Sequence, residues 1–249
     1  MKFRLAVLPL VFAVALFGCA SPDEDAVTTA DDDAMTDVDH GDDGDDHHGD
    51  GSPDRDHFSK PDEVYAFLGI GAGGRVVDVM SGGGYNAERL ALLVGVTGFV
   101  VADGGSEEFR ARLDEGGDLA ATDNIRFVDE LPQLEDGSVD AVVAVRAYHL
   151  FPDVPASLAE LHRALVPGGV VGVVEVRLNQ GEGHDMASHR VGEGTVIDDL
   201  VAAGFEYVGE SDILKRADDD YAVFIQPGKT RFMTDRMLLK FRKPGGATN

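Results

Sequence analysis

The sequence predicts an α/β fold in which the strands form a mostly parallel, doubly wound sheet. Short apolar strands alternate with helical segments from residue 75 onward. Strands that are apolar along their whole length are typical of a sheet covered by helices on both faces. A glycine-rich turn, Gly82-Gly-Gly84, links the first of these strands to a helix. Two late strands separated by a loop predict an antiparallel hairpin at one edge of the sheet.

The first 18 residues are typical of a secretory signal. Lys2 and Arg4 precede an apolar run, residues 5–17, which is shorter than the roughly 20 residues of a membrane span. Cys19, the only cysteine of the chain, follows in a pattern that resembles a bacterial lipoprotein signal, in which the cysteine becomes residue one and is lipidated. We therefore expect an exported protein, lipid-anchored to a bacterial cell membrane on its periplasmic or outer-membrane side. An ordinary signal peptide or a buried cysteine is the alternative.

Residues 19–57 are predicted to form a disordered acidic tether. From residue 20 to residue 57 there are 15 Asp and Glu against one Arg, and almost no large apolar side chains, so the stretch cannot bury a core. Four histidines among the aspartates could bind a divalent ion such as Zn²⁺ weakly, but a solvated spacer that holds the domain away from a membrane is the favoured interpretation. Their spacing fixes no coordination geometry, so no metal site is assigned. These histidines are His40, His47, His48 and His57.

Residues 58–249 are long enough for one domain with a sizeable core. This part has 31 acidic and 18 basic side chains, and the whole chain has a net charge of −25. Because phosphate binding needs a basic surface, the acidity argues against nucleic acid as a partner. The expected partners are a small-molecule substrate and, through the N-terminal lipid, the membrane.

The helices and strands of this domain are predicted from turn residues and apolar runs. A first short helix is expected to begin with Ser59 as its cap, because a proline and two acids follow, and to end at Gly69. The helix after the glycine turn has Leu90, Leu93 and Val94 on one face. The remaining strands are predicted at 98–102, 124–128, 141–145, 170–176, 205–209 and 233–242, and the remaining helices at about 106–114, 155–165 and 195–203.

Three aspartates stand at the carboxyl ends of successive predicted strands: Asp78, Asp103 and Asp129. This is the edge at which open α/β sheets bind ligands. The spacing Gly82-x-Gly84-x-x-Ala87, with Asp103 21 residues after Gly82, fits a dinucleotide site with a ribose-binding acid. However, an acid within the end of the first strand and a closing hairpin in place of a second mononucleotide half argue against a dinucleotide.

The sequence resembles the class I S-adenosylmethionine-dependent methyltransferases over about residues 61–243. The resemblance is carried by Val-Val-Asp-Val-Met-Ser-Gly-Gly-Gly ending at Gly84, by Leu-Pro through Asp-Gly-Ser-Val-Asp ending at Asp140, and by Tyr-His-Leu through Leu-Val-Pro-Gly-Gly ending at Gly169. More narrowly, the chain resembles a group of predicted, often exported bacterial methyltransferases. This resemblance implies a Rossmann-like fold, S-adenosylmethionine as cofactor and methyl transfer to a small or medium-sized acceptor. Met80 stands where the family has glycine, so the first turn of the loop must differ.

The resemblance also implies a role for each residue of the ligand edge. Asp78 would lie by the methionine part of the cofactor, and Gly82 and Gly84 would let the chain pass close to it. Asp103 would accept hydrogen bonds from the ribose hydroxyls, and Asp129 would meet the adenine amino group. For each acid the alternative is a helix cap or a solvated loop.

Methyl transfer needs a base only if the acceptor must lose a proton. His149 follows the fourth strand at the ligand edge and is the candidate catalytic base, the alternative being a histidine packed against the next helix. The candidates on the substrate side are Tyr85, Arg146, His189 and Arg190. Arg190 lies in a glycine-rich loop that could close over substrate, and a structural Arg–Asp pair is its alternative.

A second hypothesis follows from the predicted location, since S-adenosylmethionine is made in the cytoplasm. In that hypothesis the protein is a lipoprotein that keeps the pocket and binds an adenosyl-like or small ligand without turnover. A third, a metal-responsive surface lipoprotein, would use the histidine-rich tether.

Overall fold

The computed structural model describes residues 53–115, 123–180, 182–221 and 234–245. The predicted signal, Cys19 and the first three tether histidines lie outside these ranges. In chain order the elements are α1 (Pro53–Ser59), α2 (Pro61–Leu68), β1 (Arg75–Val79), α3 (Tyr85–Val94), β2 (Phe99–Asp103), α4 (Glu107–Asp114), β3 (Ile125–Val128), β4 (Val139–Val145), α5 (Val154–Ala164), β5 (Leu165–Val176), β6 (His184–Asp185), β7 (Arg190–Val191), α6 (Glu193–Ala202), β8 (Glu206–Glu210) and β9 (Arg236–Arg242).

The described strands form one seven-stranded sheet and one small hairpin. The sheet order is β3-β2-β1-β4-β5-β9-β8, and β6 pairs with β7 separately. β1 lies parallel to both β2 and β4, whereas β9 is antiparallel to both β5 and β8. The predicted α/β fold with a late antiparallel pair at one edge is thus confirmed. Because the strand order reverses at β1 and β4, a crevice opens at their carboxyl ends.

Each face of the sheet buries its own core. On one face Val77 and Val142 pack with the helices α5 and α6 through Leu158 and Leu200. Neighbouring strand residues point the other way and pack with α2 and α3 through Leu68 and Leu90. Both faces are covered, which explains why β1 and β4 are apolar at almost every position. Within the described ranges, no helix is both long and apolar enough to cross a membrane.

The N-terminal helices begin earlier than the sequence suggests. Ser59 ends α1 and does not cap the next helix; the cap position of α2 is Lys60, whose φ is 46°. The helix α1 starts at Pro53, so five residues assigned to the tether are helical. Asp56 explains this placement, since it accepts hydrogen bonds from Tyr85 and Arg89 of α3.

Two strand boundaries also differ from the prediction. β5 begins at Leu165, which pairs with Val139 before the bulge, and so includes the Pro-Gly-Gly segment that precedes the predicted strand 170–176. β9 begins at Arg236 and not at residue 233. In both cases pairing with a neighbouring strand sets the boundary, and that pairing leaves little trace in local composition.

Candidate functional site

The glycine turn after β1 is a tight loop with several left-handed residues. Gly82 and Gly84 have φ of 50° and 87°, and Met80 has φ of 52°. Met80 thus adopts the backbone conformation that glycine tolerates best, with its side chain partly exposed. The loop is held by hydrogen bonds from the Ser81 N–H to the Asp103 carbonyl, at 2.7 Å, and from the Gly84 N–H to the Ser81 carbonyl. The loop backbone at Met80 therefore has the conformation that a glycine at this position would favour.

The loop packs against the turn after β2 and leaves one side open. A side chain on Gly84 would stand 2.2 Å from the Phe109 ring, so Phe109 fills the space behind the loop. At Gly82, by contrast, a Cβ would meet only the Met80 carbonyl, at 3.9 Å. A ligand can therefore approach the backbone closely at Gly82.

Asp78 is a buried carboxylate with an unused oxygen. Its side chain lies at the end of β1, 1 % exposed, and Oδ2 has no hydrogen-bond partner among the described residues. Burial raises the pKa of Asp78 to about 7, and hydrogen bonds from Ser81 and from the Ala87 N–H offset only part of this rise. A buried polar atom without a partner is uncommon, and it is suited to a cationic or hydrogen-bond-donating ligand.

Asp103 lies at the end of the neighbouring strand β2 and is also buried. Its Oδ2 accepts a hydrogen bond from the Met80 N–H at 3.2 Å, which ties it to the glycine loop. Burial raises the pKa of this carboxyl, and the Met80 N–H lowers it. The structure thus brings Asp78, Asp103 and the glycine loop together.

Asp129 follows β3 at the same edge but is exposed. Its side chain is 75 % exposed and accepts a hydrogen bond from Arg110 of α4 at 2.7 Å. Arg110 in turn stacks on Phe127. The contact of Asp129 with an adenine group stays a prediction.

His149 lies in a buried chain of hydrogen-bonding side chains. Its Nδ1 is 3.0 Å from Glu175 Oε2, its backbone N–H donates to Glu175 Oε1, and its Nε2 is 3.3 Å from Nδ1 of His189. Glu175, on β5, is fully buried, whereas His189 is half-buried. Sequence reasoning missed Glu175, although a lone acid in the apolar run 170–176 is a detectable signal.

Two of the substrate-side candidates have protein partners that fix them. Arg190 is buried and forms a two-pronged ion pair with Asp219, with distances of 2.8 and 3.0 Å. This is the structural alternative stated above, and a contact of Arg190 with substrate stays a prediction. Tyr85 opens α3, donates a hydrogen bond to Asp56 at 2.6 Å and lies between the guanidinium groups of Arg55 and Arg89.

Arg146 follows β4 with φ of 54°, and its N–H donates to the Val174 carbonyl of β5 at 2.8 Å. The backbone contact places Arg146 at the crevice end of the sheet. Across the described parts of the chain, no group of three or more His, Cys, Asp or Glu side chains is arranged to hold a metal ion.

Comparison with known proteins identifies the domain. Residues 77–173, from β1 to within β5, match the family model described as "Methyltransferase domain". This stretch of the chain is therefore similar to a methyltransferase domain. A stretch of 107 residues is 36 % identical to the arsenite methyltransferase of Aquipseudomonas alcaligenes, covering 39 % of this chain and 31 % of that protein. The match thus spans about a third of the length of this relative.

Solved structures show the same methyltransferase fold. A SAM-dependent methyltransferase from Aquifex aeolicus superposes with a TM-score of 0.59 at 19 % identity, over 77 % of this chain and 93 % of the other. The 1,6-didemethyltoxoflavin-N1-methyltransferase of Burkholderia thailandensis was crystallised with bound 1,6-didemethyltoxoflavin and S-adenosylhomocysteine. It superposes with a TM-score of 0.53 at 18 % identity, over 77 % of this chain and 83 % of the other. At sequence identities of 18–19 %, these comparisons establish the fold alone.

S-adenosylmethionine is the cofactor of this class of domain, and the residues present fit it. The unused oxygen of Asp78 can meet a cationic amino group, the open backbone at Gly82 allows close approach, and Asp103 stands at the β2 end, where a ribose-binding acid belongs. The geometry of these residues is therefore compatible with S-adenosylmethionine.

Proposed function

We propose that this protein transfers the methyl group of S-adenosylmethionine to a small or medium-sized acceptor, and that it does so as an exported, lipid-anchored enzyme. The observation that carries the proposal is the buried Asp78 carboxylate beside the open glycine loop, at the point where the strand order reverses. A buried carboxylate with an unused oxygen is costly for the protein alone. A cationic ligand at this position offsets that cost.

The chain's own residues would position the cofactor. Asp78 would bind its amino group, the Gly82 backbone would lie against it, and Asp103 would accept hydrogen bonds from the ribose. When bound, the cofactor supplies an electrophilic methyl group on a sulfonium centre. Residues around the crevice align the acceptor and exclude water.

The chain Glu175–His149–His189 supplies a route for the acceptor proton. Glu175 accepts from the Nδ1–H of His149, which leaves Nε2 of His149 as a proton acceptor. Nδ1–H of His189 donates to that Nε2, and we propose that the other ring nitrogen of His189 takes the proton of an acceptor group. The inner proton then moves to His149, and Glu175 stabilises the imidazolium. We propose His149 as the base that acts through His189.

Arsenite is the acceptor named for the relative in Aquipseudomonas alcaligenes. Soft ions prefer thiolate ligands, and the only cysteine of this chain is Cys19, at the predicted lipidation site. Two thiolates are therefore not available within the chain to hold arsenic(III), and we propose an organic acceptor instead.

The cofactor is tested by calorimetric titration of S-adenosylmethionine and S-adenosylhomocysteine into the purified protein. The wild type is expected to bind in the micromolar range, and Asp103→Ala to weaken binding at least tenfold, about 1.4 kcal/mol. The matched control is Asp114→Ala, which removes an exposed acid at the end of α4 and is expected to bind like the wild type. A folded wild type that binds neither compound would contradict the proposal and favour a binding protein for another ligand.

The base is tested by turnover in a screen that detects released S-adenosylhomocysteine. For an acceptor that must lose a proton, His149→Ala is expected to lower turnover by about 10²–10⁴ with unchanged cofactor affinity, and Glu175→Gln to lower it less. His162→Ala is the control, since His162 packs on Phe205. Equal turnover in His149→Ala and His162→Ala would remove the catalytic role.

The predicted location is tested by cell fractionation. The wild type is expected in the membrane fraction, and Cys19→Ala in the soluble one, because the acyl chains provide the anchor. A Cys19→Ala protein that stays in the membrane fraction would count against lipidation.

A further inference from the structure

A pocket between the N-terminal helices and the carboxyl ends of β4 and β5 is lined by cations. Arg55 of α1 and Arg236 of β9 both face it, and no Asp or Glu is among the described residues that line it. The pocket is small, about 40 Å³, so it has room for a group of the size of a carboxylate, and it is open to solvent. A lining with arginine and without carboxylate is unexpected in a chain with a net charge of −25.

Arg236 is the most constrained of these cations. Its side chain is 8 % exposed, and its buried Nε has no hydrogen-bond partner among the described residues. One of its terminal nitrogens donates to the Phe58 carbonyl. Burial, followed by the charges of Arg146 and Arg216, lowers the pKa of Arg236 to about 10, so three guanidinium groups lie close enough to repel.

The neighbouring acids are committed to other partners. Asp235 lies 3.3 Å from Arg177, and its oxygens also accept from the Arg216 N–H and from the Tyr221 hydroxyl. Asp218 is paired with Arg216 through two hydrogen bonds. Neither acid provides Arg236 with a short ion pair, although the charge of Asp235 reaches it and raises its pKa. Burying a guanidinium without a short ion pair costs free energy, and a bound anion would offset that cost.

Apart from Ser59 and Asn86, the other residues that line the pocket are aromatic or apolar. Tyr65 and Tyr85 lie on one side, with the Tyr65 hydroxyl bonded to Asn86 at 3.1 Å, and Val145 and Val174 come from the ends of β4 and β5. An occupant should therefore have an anionic head for the arginines and an apolar body for these walls.

The pocket adjoins the candidate cofactor site. Tyr85 and Asn86 follow directly on the glycine loop, and Val145 ends the strand next to β1. The charge of Asp78 is close enough to raise the pKa of Tyr65, and that of Arg55 is close enough to lower the pKa of Asp78. A molecule held here would lie next to the methyl donor.

We propose that this pocket binds the anionic group of the methyl acceptor, and that the acceptor is a small organic acid with an apolar body. The inference rests on the proposed function, because it names the substrate class of the same site. The carboxylate of the cofactor's methionine part has the same chemistry, so the test must distinguish these two sources.

The acceptor is tested with three probes titrated into the protein saturated with S-adenosylhomocysteine. These are benzoate, its neutral analogue benzamide, and inorganic phosphate. Benzoate is expected to bind saturably and benzamide at least tenfold more weakly, about 1.4 kcal/mol. Arg236→Met and Arg55→Met are each expected to weaken benzoate binding at least tenfold, and Arg236→Lys to restore part of it. Arg126→Met, which removes an exposed arginine of β3, is the matched control and should bind like the wild type.

The cofactor arm compares S-adenosylhomocysteine with 5′-methylthioadenosine, which lacks the carboxylate. Both affinities are expected to be unchanged in Arg236→Met and Arg55→Met, checked first for folding by circular dichroism. If both variants bind S-adenosylhomocysteine more weakly and 5′-methylthioadenosine normally, the arginines serve the cofactor and the proposal is overturned. If the wild type binds S-adenosylhomocysteine tightly but binds none of the three probes saturably, this inference is overturned and the proposed function is not. A wild type that does not bind S-adenosylhomocysteine refutes the proposed function instead. The three probes are then titrated into the protein without S-adenosylhomocysteine, and these titrations still test the pocket.

Discussion

Replacing Asp78 by asparagine should make the protein more stable at neutral pH, because a buried charge disappears. The pKa of Asp78 is raised from 3.8 to about 7, chiefly by burial. Each pKa unit corresponds to about 1.4 kcal/mol. Ionising Asp78 in the folded protein therefore costs about 4 kcal/mol more than ionising it in the unfolded chain. The side chain is 1 % exposed, so solvent screening hardly reduces this value.

The sign of the pH dependence follows from the raised pKa. Below about pH 4 Asp78 is protonated in both states and contributes no difference. Between about pH 4 and pH 7 the folded state keeps the proton that the unfolded state has lost, so the wild type loses stability as the pH rises, and above about pH 7 the loss is complete. The advantage of Asp78→Asn over the wild type should thus grow by up to about 4 kcal/mol from pH 4 to pH 8.

The assay is urea unfolding followed by circular dichroism at several pH values, since the chain has no tryptophan. An effect of the asparagine amide that does not depend on pH, such as an unpaired N–H, changes the free energy of unfolding equally at every pH. It therefore does not alter the predicted pH dependence. Asp140→Asn is the control, because Arg75 lowers the pKa of Asp140 and the difference from wild type should be constant between pH 5 and pH 8. A difference for Asp78→Asn that does not change from pH 4 to pH 8 would refute the reasoning. The same variant should bind S-adenosylhomocysteine more weakly, as expected where a costly group is kept for function.

Three further substitutions test the packing around the site, each by urea unfolding. Met80→Gly should stabilise the protein by about 0.5–1 kcal/mol, because Met80 has φ of 52°; a loss of stability would contradict this. Gly84→Ala should destabilise it by about 2–4 kcal/mol, since the new Cβ would stand 2.2 Å from Phe109, and Phe109→Leu should restore part of the loss. Arg190→Met should cost about 3–5 kcal/mol by leaving Asp219 buried and unpaired, with partial recovery in the double variant with Asp219→Asn; unchanged stability together with a raised KM would instead favour the substrate contact.

Local signals in the sequence were sufficient for the sheet and for half of the site. Val76 to Val79, the glycines after them and Asp103 lie within 28 residues of each other, and strand, turn and helix are each specified by their own residue types. The structure accordingly brings Asp78, Asp103 and the glycine loop together, whereas their contact with a cofactor stays a prediction. The exception at Met80 is also local, and here the surrounding hydrogen bonds override the usual preference for glycine.

The rest of the site depends on contacts that no local pattern contains. Glu175 of β5 contacts His149, which follows β4 and lies 26 residues away in the sequence, and Arg236 contacts Phe58 across 178 residues. Composition also misled at the N-terminus. The stretch around Asp56 is acidic on average, yet Asp56 itself is held by Tyr85 and Arg89, and that anchor makes α1 part of the domain.

Net charge is a poor guide to the electrostatic potential inside a pocket, because a pocket gathers residues that lie far apart in the sequence. Overall acidity argues against a polyanion as partner, but it is an average over a surface, whereas Arg55, Arg146 and Arg236 come from three distant segments that the fold gathers at one crevice. Charges on the exterior are screened beyond about 8 Å at physiological salt, while the buried guanidinium of Arg236 acts at short range in a medium of low polarity. An acidic exterior repels large, multiply charged anions before they reach the crevice, and the arginines retain a small anion that enters. The two charge distributions together fit the proposed small organic acid and argue against nucleic acid.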